Sequence, residues 1–171
     1  KKWLPEVVGK RKSELAEDVI AGFYHMKDII GWARFPGGYE SEGASRESDI
    51  PEGDDERRMK NSYYRTVERL QNEGTTFSDL MAKKYRAMAY FGRDAGKDFD
   101  DSKELRARLI ITAGQLIRYY NQRTTMPEDK WDKWEAMIGW GLEEDDEFSG
   151  KLDALVKRVE QFYGQWLLRK G

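Results

Sequence analysis

Residues 63–91 carry an apolar pattern that leaves little choice of fold. Tyr63, Val67, Leu70, Gly74, Phe77, Met81, Lys84, Met88 and Phe91 follow one another at alternating steps of four and three. Such spacing keeps returning to one side of a helix, so it reads as a heptad seam. Gly74 and Lys84 are its two blemishes. The phase passes through Gly74 unchanged, which predicts one continuous coiled-coil-like helix of about 35 residues rather than two helices and a turn. A glycine inside a helix costs about 1 kcal/mol relative to alanine, so a bend or a close crossing is expected there. Asp54 and Asp55 suit the start of this helix and Gly92 its stop.

A seam of this length needs partners, and the rest of the chain offers them. Leu15, Val19, Phe23, Met26, Ile30 and Ala33 trace one face of a first helix, expected from Pro5 to Ala33. Phe35-Pro36-Gly37-Gly38 ends it. A third helix is expected from about Asp98–Asp101, through Leu105, Leu109, Thr112 or Ala113, Leu116 and Tyr120. A short fourth opens at Pro127 with Trp131, Trp134 and Ile138 on one side, and Gly139 and Gly141 close it. After the acidic run Glu143–Glu147, a fifth reads Phe148, Leu152, Leu155, Val159, Phe162 and Trp166. No long stretch alternates with period two. The fold class is therefore all-α: an antiparallel bundle of four long helices plus one short Trp-rich helix, forming a single domain over residues 1–171. The second helix exceeds its neighbours, so part of it should protrude, pair with a copy of itself, or be covered by the termini.

Between the first two helices lies RFPGGYESEGASRESDIPEGDDERR. From Glu40 to Glu56 it holds eight acidic residues and one arginine, and only Ala44 and Ile50 could enter a core. A segment that buries so little cannot offset its ordering entropy. Residues 36–55 are therefore expected to be a flexible acidic loop, slack chain joining two helices, and deletion of residues 40–53 is expected to leave stability almost unchanged.

Composition narrows the function classes. The chain has 30 basic and 32 acidic residues, a net charge of −2, so it has no global attraction to nucleic acid. With no cysteine, disulfides and thiolate zinc sites are excluded. No apolar run approaches the roughly 20 residues that span a bilayer. The single histidine, His25, stands three residues after Gly22, so the Glu-x-x-His pairs of di-iron bundles are absent. There is no nucleophile elbow and no phosphate-binding glycine loop.

Two carboxylate groups could share a hard cation: Glu14, Glu17 and Asp18 on the first helix, and Asp98, Asp100, Asp101 and Glu104 near the third. They would support a metal-dependent hydrolase of a phosphorylated small molecule. The plainer reading is that the first group edges an apolar stripe and the second favours a helix start. The basic groups Arg57, Arg58 and Lys60, then Lys83, Lys84 and Arg86, then Arg106 and Arg108, are interleaved with acids. Glu56–Lys60, Asp79–Lys83 and Glu104–Arg108 are spaced as i,i+4 ion pairs, which predicts a solvated face. Trp131, Trp134 and Trp140 could form an aromatic surface for a partner or an apolar ligand, but Trp131 and Trp134 are read as the core face that anchors a short helix.

Residues 1–12, KKWLPEVVGKRK, differ from all of these. They hold five basic residues and one acid around Trp3 and Leu4, the composition found beside the cytoplasmic edge of a membrane segment. This start, with GWARFPGG, an acidic loop, KYRAMAYFG and QLIRYYNQR, resembles a group of bacterial proteins in which an N-terminal transmembrane helix leads into a cytoplasmic helical domain of no assigned activity. The resemblance rests on packing motifs, so it implies a fold and a location but no catalytic residue. The membrane helix would lie ahead of Lys1. The expected function is a non-enzymatic interaction or scaffold domain, cytoplasmic and near the inner face of the cell membrane. No catalytic, cofactor or metal residue is assigned. A protein partner or a second copy is the expected ligand, and nucleic acid is not.

Overall fold

The computed structural model describes residues 3–141 and 146–167. It is all-helical, with no strand among the described residues. The helices are α1 Trp3–Ala33, α2 Asp54–Asn72, α3 Gly74–Ala82, α4 Lys84–Phe91, α5 Gly96–Arg118, α6 Glu128–Met137 and α7 Glu147–Gly164. Short 3-10 turns at Arg93–Ala95 and Tyr120–Thr125 flank α5. Of the acidic run Glu143–Glu147, residues 143–145 lie outside the described residues.

The apolar periodicities correspond to the buried faces. On α1, Leu15, Ala16, Val19, Phe23, Met26, Ile30 and Ala33 are buried. On α7, Phe148, Leu152, Leu155, Val156, Val159 and Tyr163 are buried. α1 packs on α7 and α2, and α5 packs on α2 and α7. Phe23 and Phe99 meet edge to face across this core, ring centres 5.3 Å apart. A second apolar cluster joins α2, α5 and α6 through Tyr63, Val67, Ala113, Leu116, Trp131 and Ile138. The Trp-rich helix therefore closes one part of the assembly, as its bulk demands.

The long second helix is corrected. Its hydrogen-bonding is interrupted at Glu73 and Lys83, giving three helices where the heptad spacing predicts one. Glu73 leaves helical geometry, at φ −105° and ψ 19°. Lys83 keeps helical angles, but its N–H tightens onto Leu80 O at 3.0 Å. The interruption at Glu73 turns the face that follows. Phe77, Leu80 and Ala87 are buried, while the seam positions Met81, Lys84 and Met88 are only half-buried. The far end does not protrude: Phe91 packs against Phe162, Tyr163 and Trp166 of α7 and the residues just after it.

The reading of residues 36–55 as slack chain is also corrected. The segment folds back on α2 and is held by paired charges. Arg46 donates to both Glu52 oxygens, and both side chains are buried, at 7% and 3% exposure. Arg46 also donates to Asn61 Oδ1 at 3.0 Å, and Lys60 reaches Glu52 at 3.2 Å. Glu68 accepts from Gly43 N–H at 3.1 Å and from Ser45 Oγ at 2.6 Å. Gly43 is required here. Its φ is +82°, and a Cβ would sit 2.0 Å from the Asn61 carbonyl oxygen. The missing burial is compensated by ion pairs and hydrogen bonds that hydropathy does not count.

Candidate functional site

The carboxylates that could have held a metal are not brought together. Glu17 and Asp18 are exposed on α1, and Glu14 lies 3.8 Å from Lys10. On α5, Asp98 and Asp101 pair with Arg158, Asp100 with Lys84, and Glu104 with Arg108. Each of these α5 acids already has a cation, and the apolar core stands between α1 and α5. Among the described residues no group of three histidine or carboxylate side chains could hold a metal ion. Asp98 is pushed above the usual carboxylate range by its burial, which Arg158 offsets only in part. His25 is exposed on α1.

A cleft of about 310 Å³ lies between α5 and α7, lined by Asp101, Glu104, Leu105, Arg108, Lys151 and Arg158 among others. Two of its three cations are paired with its own two acids, so its charge is largely neutralised within the wall.

Of the three expected i,i+4 ion pairs, Glu56–Lys60 forms at 2.7 Å and Glu104–Arg108 at 3.1 Å. Asp79–Lys83 forms none; the Lys83 Nζ lies by Gly22 of α1 instead, 3.6 Å from where a Cβ there would stand. Trp131 is 9% exposed. Its indole N–H donates to Glu135 at 3.2 Å, and the Tyr63 hydroxyl donates to the same carboxylate at 2.7 Å. Burial first, then Glu135, pushes the Tyr63 hydroxyl far above its ordinary pKa. It is a packing device, as a short helix with little else to anchor it requires.

Two buried arginines have no counterpart in the sequence reading. Arg69, 3% exposed, donates to the carbonyls of Trp32, Phe35 and Gly37 and to both Glu42 oxygens. Its guanidinium also lies 4.0 Å from the Trp32 ring. It therefore gathers carbonyls at and just beyond the end of α1, where helical hydrogen bonding runs out. Arg34, 7% exposed, donates to the carbonyls of Met137 and Ala136, to Asp146 and to Ser149. Gly139 turns over it with φ +92°, where a Cβ would meet Arg34 O at 2.1 Å. Arg69 betrays itself in one way only: it is a charged residue next to the seam residue Leu70. For Arg34, whose side-chain partners lie more than 100 residues away, no local signal exists.

The remaining feature is the start of α1. From Trp3 to Lys12 no residue is buried. Trp3, Leu4 and Val8 are 63%, 56% and 42% exposed. Leu4 and Val8 stand at steps of four behind Lys12 and Ala16, so they continue the stripe that α1 buries further on. At 1.5 Å per residue this overhang is about 15 Å long. Lys12 lies over the Trp166 ring at 4.6 Å and over Phe91 at 6.0 Å. Trp166 and Leu167 beside it are 36% and 41% exposed. The start of α1 and the residues after α7 thus meet at one end of the molecule. No described helix is long and apolar enough to cross a membrane.

Compared with family models, with curated proteins and with solved structures, the chain matches none.

Proposed function

We propose that the chain is a non-enzymatic helical interaction domain, an antiparallel bundle of four long helices that works at the cytoplasmic face of a membrane. One observation carries the reading: the apolar stripe of α1 runs on past the core, uncovered, from Leu4 to Val8 among basic residues. Monomeric proteins usually cover such stripes unless they are contact surfaces. The rival, a metal-dependent hydrolase, is weakened because the acids it needs are dispersed, and those on α5 are already paired.

A photoreactive diazirine side chain at Val8 of the full chain tests the reading, with the same group at Lys133 of α6 as control. Arg34 joins the other end of α1 to α6, so the control lies far from the overhang. An adduct in cells, to protein or lipid, is expected from Val8 and not from Lys133. Equal labelling at both, or none at Val8, would refute it. Titration with magnesium or manganese separates the rival: saturable heat that disappears in Asp98→Asn/Asp101→Asn would favour the enzyme.

A further inference from the structure

We infer that the surface this end of the molecule docks on is an anionic lipid bilayer. The inference rests on reading the α1 overhang as a contact surface, and it names the partner.

Three observations point the same way. First, the apolar groups come from both chain segments: Trp3, Leu4 and Val8 from α1, and Trp166 and Leu167 from just beyond α7. Lys12 joins the two by stacking on Trp166. Second, the charge is segregated. Along the sequence, residues 1–12 hold five of the chain's 30 basic residues against one acidic side chain, Glu6. The rest of a chain of net charge −2 is therefore acidic. Third, cations border the apolar positions of α1. Lys10 and Arg11 follow Trp3, Leu4 and Val8, and among the described residues their side chains make no ion pair closer than the 3.8 Å contact of Lys10 with the exposed Glu14.

A bilayer uses all of this at once. Aliphatic side chains enter the acyl boundary, Trp settles at the interface, and Lys and Arg meet the headgroup phosphates. Nucleic acid would engage the cations but leave Leu4 and Val8 without a partner. A protein groove would cover the apolar stripe but has no use for a basic collar unless it is itself acidic. The acidic remainder of the body is repelled by an anionic surface, so the charge asymmetry also sets the orientation: basic end down, α6 away.

Vesicle co-sedimentation with the full chain tests this. The probes are phosphatidylcholine vesicles with and without about 30 mol% phosphatidylglycerol, a composition that gives the surface negative potential. Binding to anionic vesicles is expected to exceed binding to neutral ones by roughly tenfold or more, and to be reversed by salt. Lys10→Glu/Arg11→Glu and Leu4→Ser/Val8→Ser should each abolish it. Lys130→Glu/Lys133→Glu, the same charge change on α6, should leave most of it. Equal binding to both vesicle types would overturn the anionic inference while leaving a docking surface. Binding retained in both overhang variants would overturn it too, since another face would then be responsible. Absence of vesicle binding would also overturn it, and sedimentation velocity on the same samples would separate the causes. A dimer lost in Leu4→Ser/Val8→Ser would make the partner a second copy and leave the interaction reading standing.

Discussion

The two ends of α1 use the same residue types in opposite ways. At the far end, Arg34 and Arg69 are buried and their donors are spent on carbonyls and on Asp146 and Glu42. At the near end, Lys10 and Arg11 are exposed beside uncovered Trp3, Leu4 and Val8. An arginine that has displaced its water must be fully matched, because an orphan buried charge is costly. A cation left in water is free to meet a partner that arrives later. The far end is thus built for stability and the near end for contact, and variants should separate the two.

The largest effect is expected from Arg69→Ala. It takes the guanidinium away from three carbonyls and from the Glu42 carboxylate. Urea denaturation should show a loss of about 3–5 kcal/mol, the range for breaking a buried pair. A loss under about 1 kcal/mol would mean that water replaces the guanidinium easily, and the contrast between the ends would collapse. Next comes deletion of residues 40–53, which removes Glu42, Arg46 and Glu52 together. For slack chain the change would be negligible. With these anchors the melting temperature should fall by about 4–8 °C, equivalent to about 2 kcal/mol in a chain of this size.

The same segment shows what a sequence can reveal. The helices are legible because apolar periodicity is a local property of each face, and it marks five helical regions. The interruptions at Glu73 and Lys83 are not legible, because each helix resumes at once and the heptad count survives. The loop's anchoring is hidden for a different reason. Its eight acids look like solvated charge until Lys60, Asn61 and Arg69 of α2 are placed against them. Those partners lie 8 to 27 residues away along the chain, and only the folded backbone brings them together. The one internal clue was Arg46, a lone cation within an acidic run. The overhang, by contrast, was legible from composition as an oddity. Its exposure needed the fold, which shows where the body stops and α1 goes on.

Acid should act on the tied end. Hydrogen bonds from Arg69 hold Glu42 at about 2, below the ordinary 4.5. Arg46, with Lys60 and Ser48, likewise holds Glu52 at about 2. Burial works against Asp146, but Arg34 and Ser149 outweigh it and bring it from 3.8 to about 2. In each case the folded pKa lies below the unfolded one. Their stabilisation is therefore fully present above about pH 4.5 and is lost as pH falls through about 2. Denaturation midpoints measured down that range should drop, and Glu52→Gln should flatten part of the slope. An unchanged slope in that variant would mean that Glu52 is as freely solvated as an ordinary surface acid.

The smallest effect is the most telling. Trp3→Ser/Leu4→Ser/Val8→Ser removes three apolar side chains from α1, yet each is already more than two-fifths exposed. Substitutions of this kind change stability by no more than about 0.5 kcal/mol each, whereas truncating a buried Leu costs about 2–5 kcal/mol. The denaturation midpoint should therefore stay close to that of the parent chain while any surface contact is lost. Leu15→Ala, on the same stripe but 1% exposed, should destabilise strongly. If the triple variant instead unfolds as readily as Leu15→Ala, the overhang is held against the body in solution. Its apolar stripe would then belong to the core, and the near end of α1 would be a second stabilising end rather than a surface kept open for a partner.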